Sequence, residues 1–139
     1  MQKNSMAEKK QVFWDGVEIP GLVLVEEITL EKSTIEVPSF KKIRIIQSDI
    51  TKIPAVNLKY RLDRGTSTLK FWEDFYYENE IHDASIIRTD ASGAEFARRL
   101  LPQCECIKIS EPAYDAASPT YASITVTVLP YDIIPVASE

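Results

Sequence analysis

The residues that could do chemistry are few and scattered. His82-Asp83 is the single histidine–acid neighbour pair in 139 residues, because the chain has one histidine. A hydrolytic or metal site built on it would need convergent His and Asp partners, which the sequence does not supply; a strand-entry residue held by local hydrogen bonds is the reading that fits. Cys104 and Cys106 are the two cysteines. Two apart in a strand they point to one face, and two thiols with one imidazole fall short of a four-ligand zinc set. They read as reduced, partly buried thiols of cytosolic type. The acidic pairs Glu26-Glu27 and Glu73-Asp74 diverge, whether on a strand or on a helix, and make no carboxylate dyad. Gly16, Gly21, Gly65 and Gly93 stand alone in turns, so no phosphate-cradling loop is present. Residues 83–95 lack the alternating oxygen ligands of a calcium loop. The sequence predicts no enzyme, no cofactor and no metal.

Charge and composition narrow the class further. The chain carries 16 basic and 21 acidic residues, a net charge of −5, with 45% apolar residues. That is an ordinary single globular domain, and it lacks the basic stripe of a nucleic-acid binder. The basic clusters Lys41-Lys42-Ile43-Arg44 and Arg98-Arg99 have only Phe40 and Phe96 beside them, too few aromatics for a base-stacking groove. No run of about 18 apolar residues exists, so no membrane insertion is expected. The start, Met1 to Lys10, is polar and without a signal-peptide core. It reads as a flexible arm (1–10) before one domain (11–139), kept in a cytoplasm.

The elements follow from periodicity and punctuation. The eight prolines fall where short extended segments should end. Val12 to Val17 starts a first strand, broken at Asp15-Gly16, a strong turn dipeptide. Leu22 to Thr34 and Ser39 to Gln47 read as the two arms of a long hairpin with its tip at Ser33 to Pro38. Leu24, Glu26, Ile28 and Leu30 would share one side, and Val25, Glu27, Thr29 and Glu31 the other. About 12 strand residues reach roughly 40 Å, which predicts an element that leaves the body. Asn57 to Leu62 alternates, and Asp63-Arg64-Gly65 turns it. A helix starts at Thr66 or Ser67 as N-cap, with Leu69, Trp72, Phe75 and Tyr76 on one stripe and Lys70 and Asp74 paired at i, i+4. Packing on its own sheet is the ordinary use of that stripe; part of it could instead anchor a partner. Ile86 to Thr89 and Glu95 to Leu101 flank the turn Asp90 to Gly93, Ile107 to Ser110 extends the second arm past Pro102, and Ala122 to Leu129 closes the fold. There Ser123, Thr125 and Thr127 oppose Ala122, Ile124, Val126 and Val128. Six or seven strands with one helix predict a mainly β fold: an antiparallel sandwich or partly open barrel with one flanking helix and a long protruding hairpin.

The order of these motifs resembles the tube proteins of contractile phage tails and related injection machines. Val56-Asn57-Leu58-Lys59 is similar to the family's segment before its Arg-Gly turn, here Asp63-Arg64-Gly65. Phe71-Trp72 resembles the helix aromatics, Asp83 and Ile86 the following strand, and Asp115-Ala116 the Asp-Ala loop, with Tyr114 in place of leucine. Where the family carries Arg-Trp, this chain has Arg98-Arg99.

The resemblance implies a structural subunit of a viral tail tube: a homo-hexamer whose inner wall is a continuous sheet. Such rings stack into a conduit for genome ejection inside a contractile sheath. It implies sheath, baseplate and tail-terminator proteins as partners, DNA passing without sequence-specific contact, and a place in the virion tail after assembly in a host cytoplasm. Six copies at −5 carry −30 per ring, a wall that repels phosphates. The hairpin becomes a stacking arm, with Glu27, Glu31, Lys32, Lys41, Lys42 and Arg44 as its contact charges and Trp72 and Tyr76 as helix anchors toward a neighbour. Two other readings stand beside it: a tube initiator or secreted injection-system ring protein, and a monomeric β domain that binds a small ligand or peptide.

Overall fold

A computed structural model describes residues 8–39, 42–118 and 120–137. The chain is mainly β, with ten strands and one helix among the described residues. Asp15 (φ 51) and Gly16 (φ 84) form a left-handed turn, the geometry that matches strand twist in a tight hairpin. They join β1 (Lys9–Trp14) to β2 (Val17–Glu18). Lys9 and Lys10, read from sequence as part of the arm, already pair with Thr89 and Arg88.

The long hairpin exists, with different bounds and partners. β3 (Leu22–Val25) belongs to the main sheet and pairs with β6 (Val56–Arg61), not with Ser39 to Gln47. The protruding arm is β4 (Glu31–Ser39) with β5 (Lys42–Lys52), a separate two-stranded sheet. Its eleven-residue strand spans about 36 Å. Residues 26–30 are not strand, so the alternating faces read across Leu24 to Glu31 do not form. Across from this break stands Pro54, which has no N–H for a ladder. Ser33 to Pro38 is strand and not tip, because Thr34, Ile35 and Val37 are β-branched; pairing closes at Ser39↔Lys42.

Helix α1 (Thr68–Tyr77) follows the Asp63–Gly65 turn, with Ser67 at the N-cap position making no side-chain cap bond. Next come β7 (His82–Thr89), β8 (Glu95–Ser110), β9 (Ser123–Leu129) and β10 (Ile134–Ala137). The main sheet runs β2-β1-β7-β8-β9-β6-β3 with β10 beside β8, all antiparallel and not closed. More strands form than the six or seven the sequence suggested: β3 and β4 are separate where Leu22 to Thr34 read as one arm, and β10 adds a strand that the sequence does not predict. Prolines also enter strands: Pro38, Pro102 and Pro135 lie inside β4, β8 and β10. Pro38 and Pro135 lie on edge strands, where a missing donor is tolerated.

β8 is the hinge of the architecture. Its first half pairs with β7 and β10, and its second half with β9. Between them the ladder with β7 shifts register, Gln103 takes φ 52, and its amide donates to Asp83 Oδ1 at 2.9 Å. A bulge of this kind bends a strand, and it folds the sheet over one core. That core holds Val12, Trp14, Val56, Leu58, Tyr60, Trp72, Phe75, Ile86, Leu101, Ile124, Val126 and Val128. Trp14 lies edge-on to Trp72 and Phe75, with centroids 5.0 and 5.5 Å away.

Candidate assembly surfaces

The helix sorts its stripe differently from the sequence reading. Thr68, Trp72 and Phe75 are buried, Phe71 packs against them, and Leu69 and Tyr76 are 39% and 37% exposed. Thr68 faces inward because its hydroxyl donates to the Pro20 carbonyl at 2.8 Å, which offsets burial of a polar group. Trp72 is fully buried. It therefore presents no atom to a neighbouring subunit, which corrects its expected role as an interface anchor. Tyr76 remains on the surface, its ring against Tyr77 at 4.9 Å. Lys70 and Asp74 make the expected pair at 2.9 Å.

The half of the sheet formed by β8, β9, β6 and β3 has one wet face and one dry face. Val56, Leu58 and Tyr60 of β6 and Ile124, Val126 and Val128 of β9 point into the core. The opposite face pairs Asn57 with Thr127, Lys59 with Thr125, and Lys108 with Thr127. Thr127 Oγ1 donates to Asn57 Oδ1 at 2.6 Å. Lys59 and Arg61 both lie 5.3 Å from the Tyr121 ring, and Arg61 Nε bonds Asp63 at 3.0 Å. The hydroxyl face and core face expected for the last strand are present from Ile124 onward, but Ser123 is buried and Ala122, outside β9, is exposed.

This half-sheet ends in two unpaired edges among the described residues. One is β3, last in the strand order. The other is Glu105–Ser110 on the side away from β9, because β7 stops pairing at Cys104. Beside that second edge lies a groove of about 570 Å³, lined by Phe75, Tyr76, Tyr77, Glu80, Glu105 and Cys106. Of the charges expected on the arm, Glu27 lies in the non-strand segment before it and is exposed, as is Glu31 at the start of β4, and Lys32, Lys42 and Arg44 lie on β4 and β5. Lys41 is outside the described residues.

His82 bonds not to its neighbour Asp83 but to one local and one distant carboxylate. Its Nδ1 meets Asp15 Oδ2 at 2.5 Å and its Nε2 meets Glu80 Oε1 at 2.9 Å. Asp83 instead accepts the Gln103 amide. The Asp15 partner lies 67 residues away, and neither motif nor spacing could have revealed it. Burial raises both thiols, Cys104 to about 12 and Cys106 to about 11, so both stay protonated and unreactive. Among the described residues no group of three or more His, Cys, Asp and Glu side chains could hold a metal. No helix there is long and apolar enough to cross a membrane.

No family model and no curated protein matches the sequence. Solved structures do match the fold. A chain of the sheath/tube terminator of an extracellular contractile injection system, PVC, superposes with TM-score 0.79 at 19% identity, covering 93% of this chain and 94% of that one. A chain of the extended PVC sheath–tube complex gives 0.78 at 19%, covering 94% and 89%. Hcp1 from Flavobacterium johnsoniae gives 0.63 at 16%, covering 93% and 95%. The fold is that of the tube-type proteins of contractile injection machines, as the ordered motifs of the sequence implied.

Proposed function

We propose that this chain is a structural, non-catalytic subunit of the tube of a contractile machine. Six copies form a ring, and rings stack into a conduit inside a sheath, between a baseplate and a terminator. The carrying observation is the pair of free edges on the β8–β9–β6–β3 half-sheet. Four antiparallel strands put β3 and β8 in opposite directions, so the β3 edge of one copy meets the β8 edge of the next as one more antiparallel ladder. Such a head-to-tail contact closes a ring if its rotation closes, and it removes two edges that would otherwise invite aggregation. The hydroxyl face then lines the channel, and the β4–β5 arm, with the segment 26–30 that leads into it, bridges rings through Glu27, Glu31, Lys32, Lys41, Lys42 and Arg44. Tyr76 borders the joint.

A ring of six 15.8 kDa chains weighs 94.8 kDa. Light scattering behind size exclusion should find that mass or larger multiples of it. A species that stays at 15.8 kDa at every concentration and with a tail nucleus present would favour the monomeric ligand-binding domain.

The likeness to chains of extracellular contractile injection systems favours a machine of that kind over a virion tail that ejects DNA. A second reading, a cap that ends the tube, is supported by the equal likeness to a terminator chain. A cap stops at one ring, whereas a tube subunit stacks.

A further inference from the structure

The single histidine of the chain sits between two carboxylates from different segments. Asp15 comes from the β1–β2 turn and Glu80 from the segment between α1 and β7, and each meets a different ring nitrogen, at 2.5 and 2.9 Å. Ionised carboxylates only accept hydrogen bonds, so both nitrogens must donate, and only the imidazolium can do that. We propose that His82 is a protonation-dependent clasp that ties the β1–β2 turn to the exit of helix α1. The neutral ring has one N–H, so on deprotonation it keeps one carboxylate and releases the other.

The surroundings leave this switch to His82. From β7, the Asp83 amide donates to Asp15 Oδ1 at 3.0 Å, and its own carboxylate is engaged by Gln103. From β8, the opposing Cys104 thiol is neutral, its pKa held at about 12. From α1, the rings of Phe71 and Phe75 pack on the imidazole at 5.3 and 4.6 Å. On the same helix Lys70 is bound to Asp74; Glu78, at the helix C-cap, is raised first by Asp74 and then by its hydrogen bond to Glu80, so it is a second titratable group on that carboxylate. Partial burial opposes the charged ring, and the bonds to Asp15 and Glu80 outweigh it, so the His82 pKa lies above its ordinary value. The clasp is therefore closed from above the carboxylate range, about pH 4, up to about pH 6.5, and opens as pH rises through the folded midpoint.

The test is an NMR titration of the lone imidazole, with amide exchange followed at Asp15 and Asp83. The expected midpoint lies above about 6.5 and falls in both Asp15→Asn and Glu80→Gln. The protection of the two amides, that is, exchange corrected for its base-catalysed intrinsic rate, should fall about tenfold across the same midpoint. A midpoint at or below 6.5, one that neither substitution moves, or amide protection indifferent to the titration would overturn the clasp. Should Asp15→Asn fail to fold, Glu80→Gln, on an exposed segment, carries the comparison alone.

Discussion

The indole Nε1 of Trp14 donates to the hydroxyl of Tyr60 at 3.2 Å, joining β1 to β6 across the core. These strands lie in opposite halves of the folded sheet, so the bond fastens the two halves where no ladder connects them. Burial raises the Tyr60 phenol to about 12, and it remains a neutral partner. Tyr60→Phe strands the buried Trp14 donor and should lower unfolding free energy by about 1–3 kcal/mol. Denaturant unfolding checks it; a loss near zero would show that the bond contributes nothing.

Gly21 has φ 99, and a Cβ there would stand 2.3 Å from the Arg61 carbonyl oxygen. The same stretch is held by Arg61 N donating to the Gly21 carbonyl at 2.6 Å. Gly21→Ala should therefore cost more than Gly16→Ala, whose Cβ would meet open space. Gly16→Ala bears only the left-handed strain of about 1 kcal/mol. Parallel thermal melts of the two variants compare them, and equal losses would contradict the contact.

Asp15 is held below its ordinary value first by its bond to His82, then by the Asp83 amide. A carboxylate lowered in the folded state stabilises above its unfolded pKa, about 3.9, and that contribution is lost as pH falls through the folded value. Acid unfolding of wild type should steepen below that pH. The Asp15→Asn variant should be flatter there; identical acid profiles would sink the assignment.

Much of the body was legible because its signals are local. Asp15-Gly16 and Asp90 to Gly93 are turns whose chemistry is written in adjacent residues, with the Asp90 carboxylate accepting the Ser92 and Ala94 amides. The alternation read in β6 is real, and that in β9 marked core and water faces correctly from Ile124 onward, though Ser123 is buried and Ala122 exposed. What failed was long-range. Leu22 to Val25 carries no sign that its partner is β6 rather than the next β-rich run. Helical spacing could not tell that Thr68, with a hydroxyl to satisfy, would turn inward while Leu69 and Tyr76 stayed outside.

The channel wall can be tested by chemistry. Thr125 lies on the hydroxyl face, paired with Lys59, and the two native cysteines are buried. In assembled tubes Thr125→Cys should react with a small maleimide but not with one on a bulky polymer. In the dispersed chain it should react with both. Bulky labelling of intact tubes would place this face outside.

Charge reversal in the arm separates stacking from folding. Glu27→Lys or Glu31→Lys should shorten or abolish filaments while the circular dichroism of the dispersed chain stays that of wild type. Both residues lie outside the main sheet, so the domain should tolerate them. Filaments of normal length in both variants would remove these charges from the stacking contact.

Negative-stain electron microscopy of the purified chain at high concentration, with and without a tail nucleus, tests the central claim most directly. The account predicts hollow tubes, or six-fold rings that stack when the nucleus is supplied. Particles that remain single chains under both conditions would contradict it.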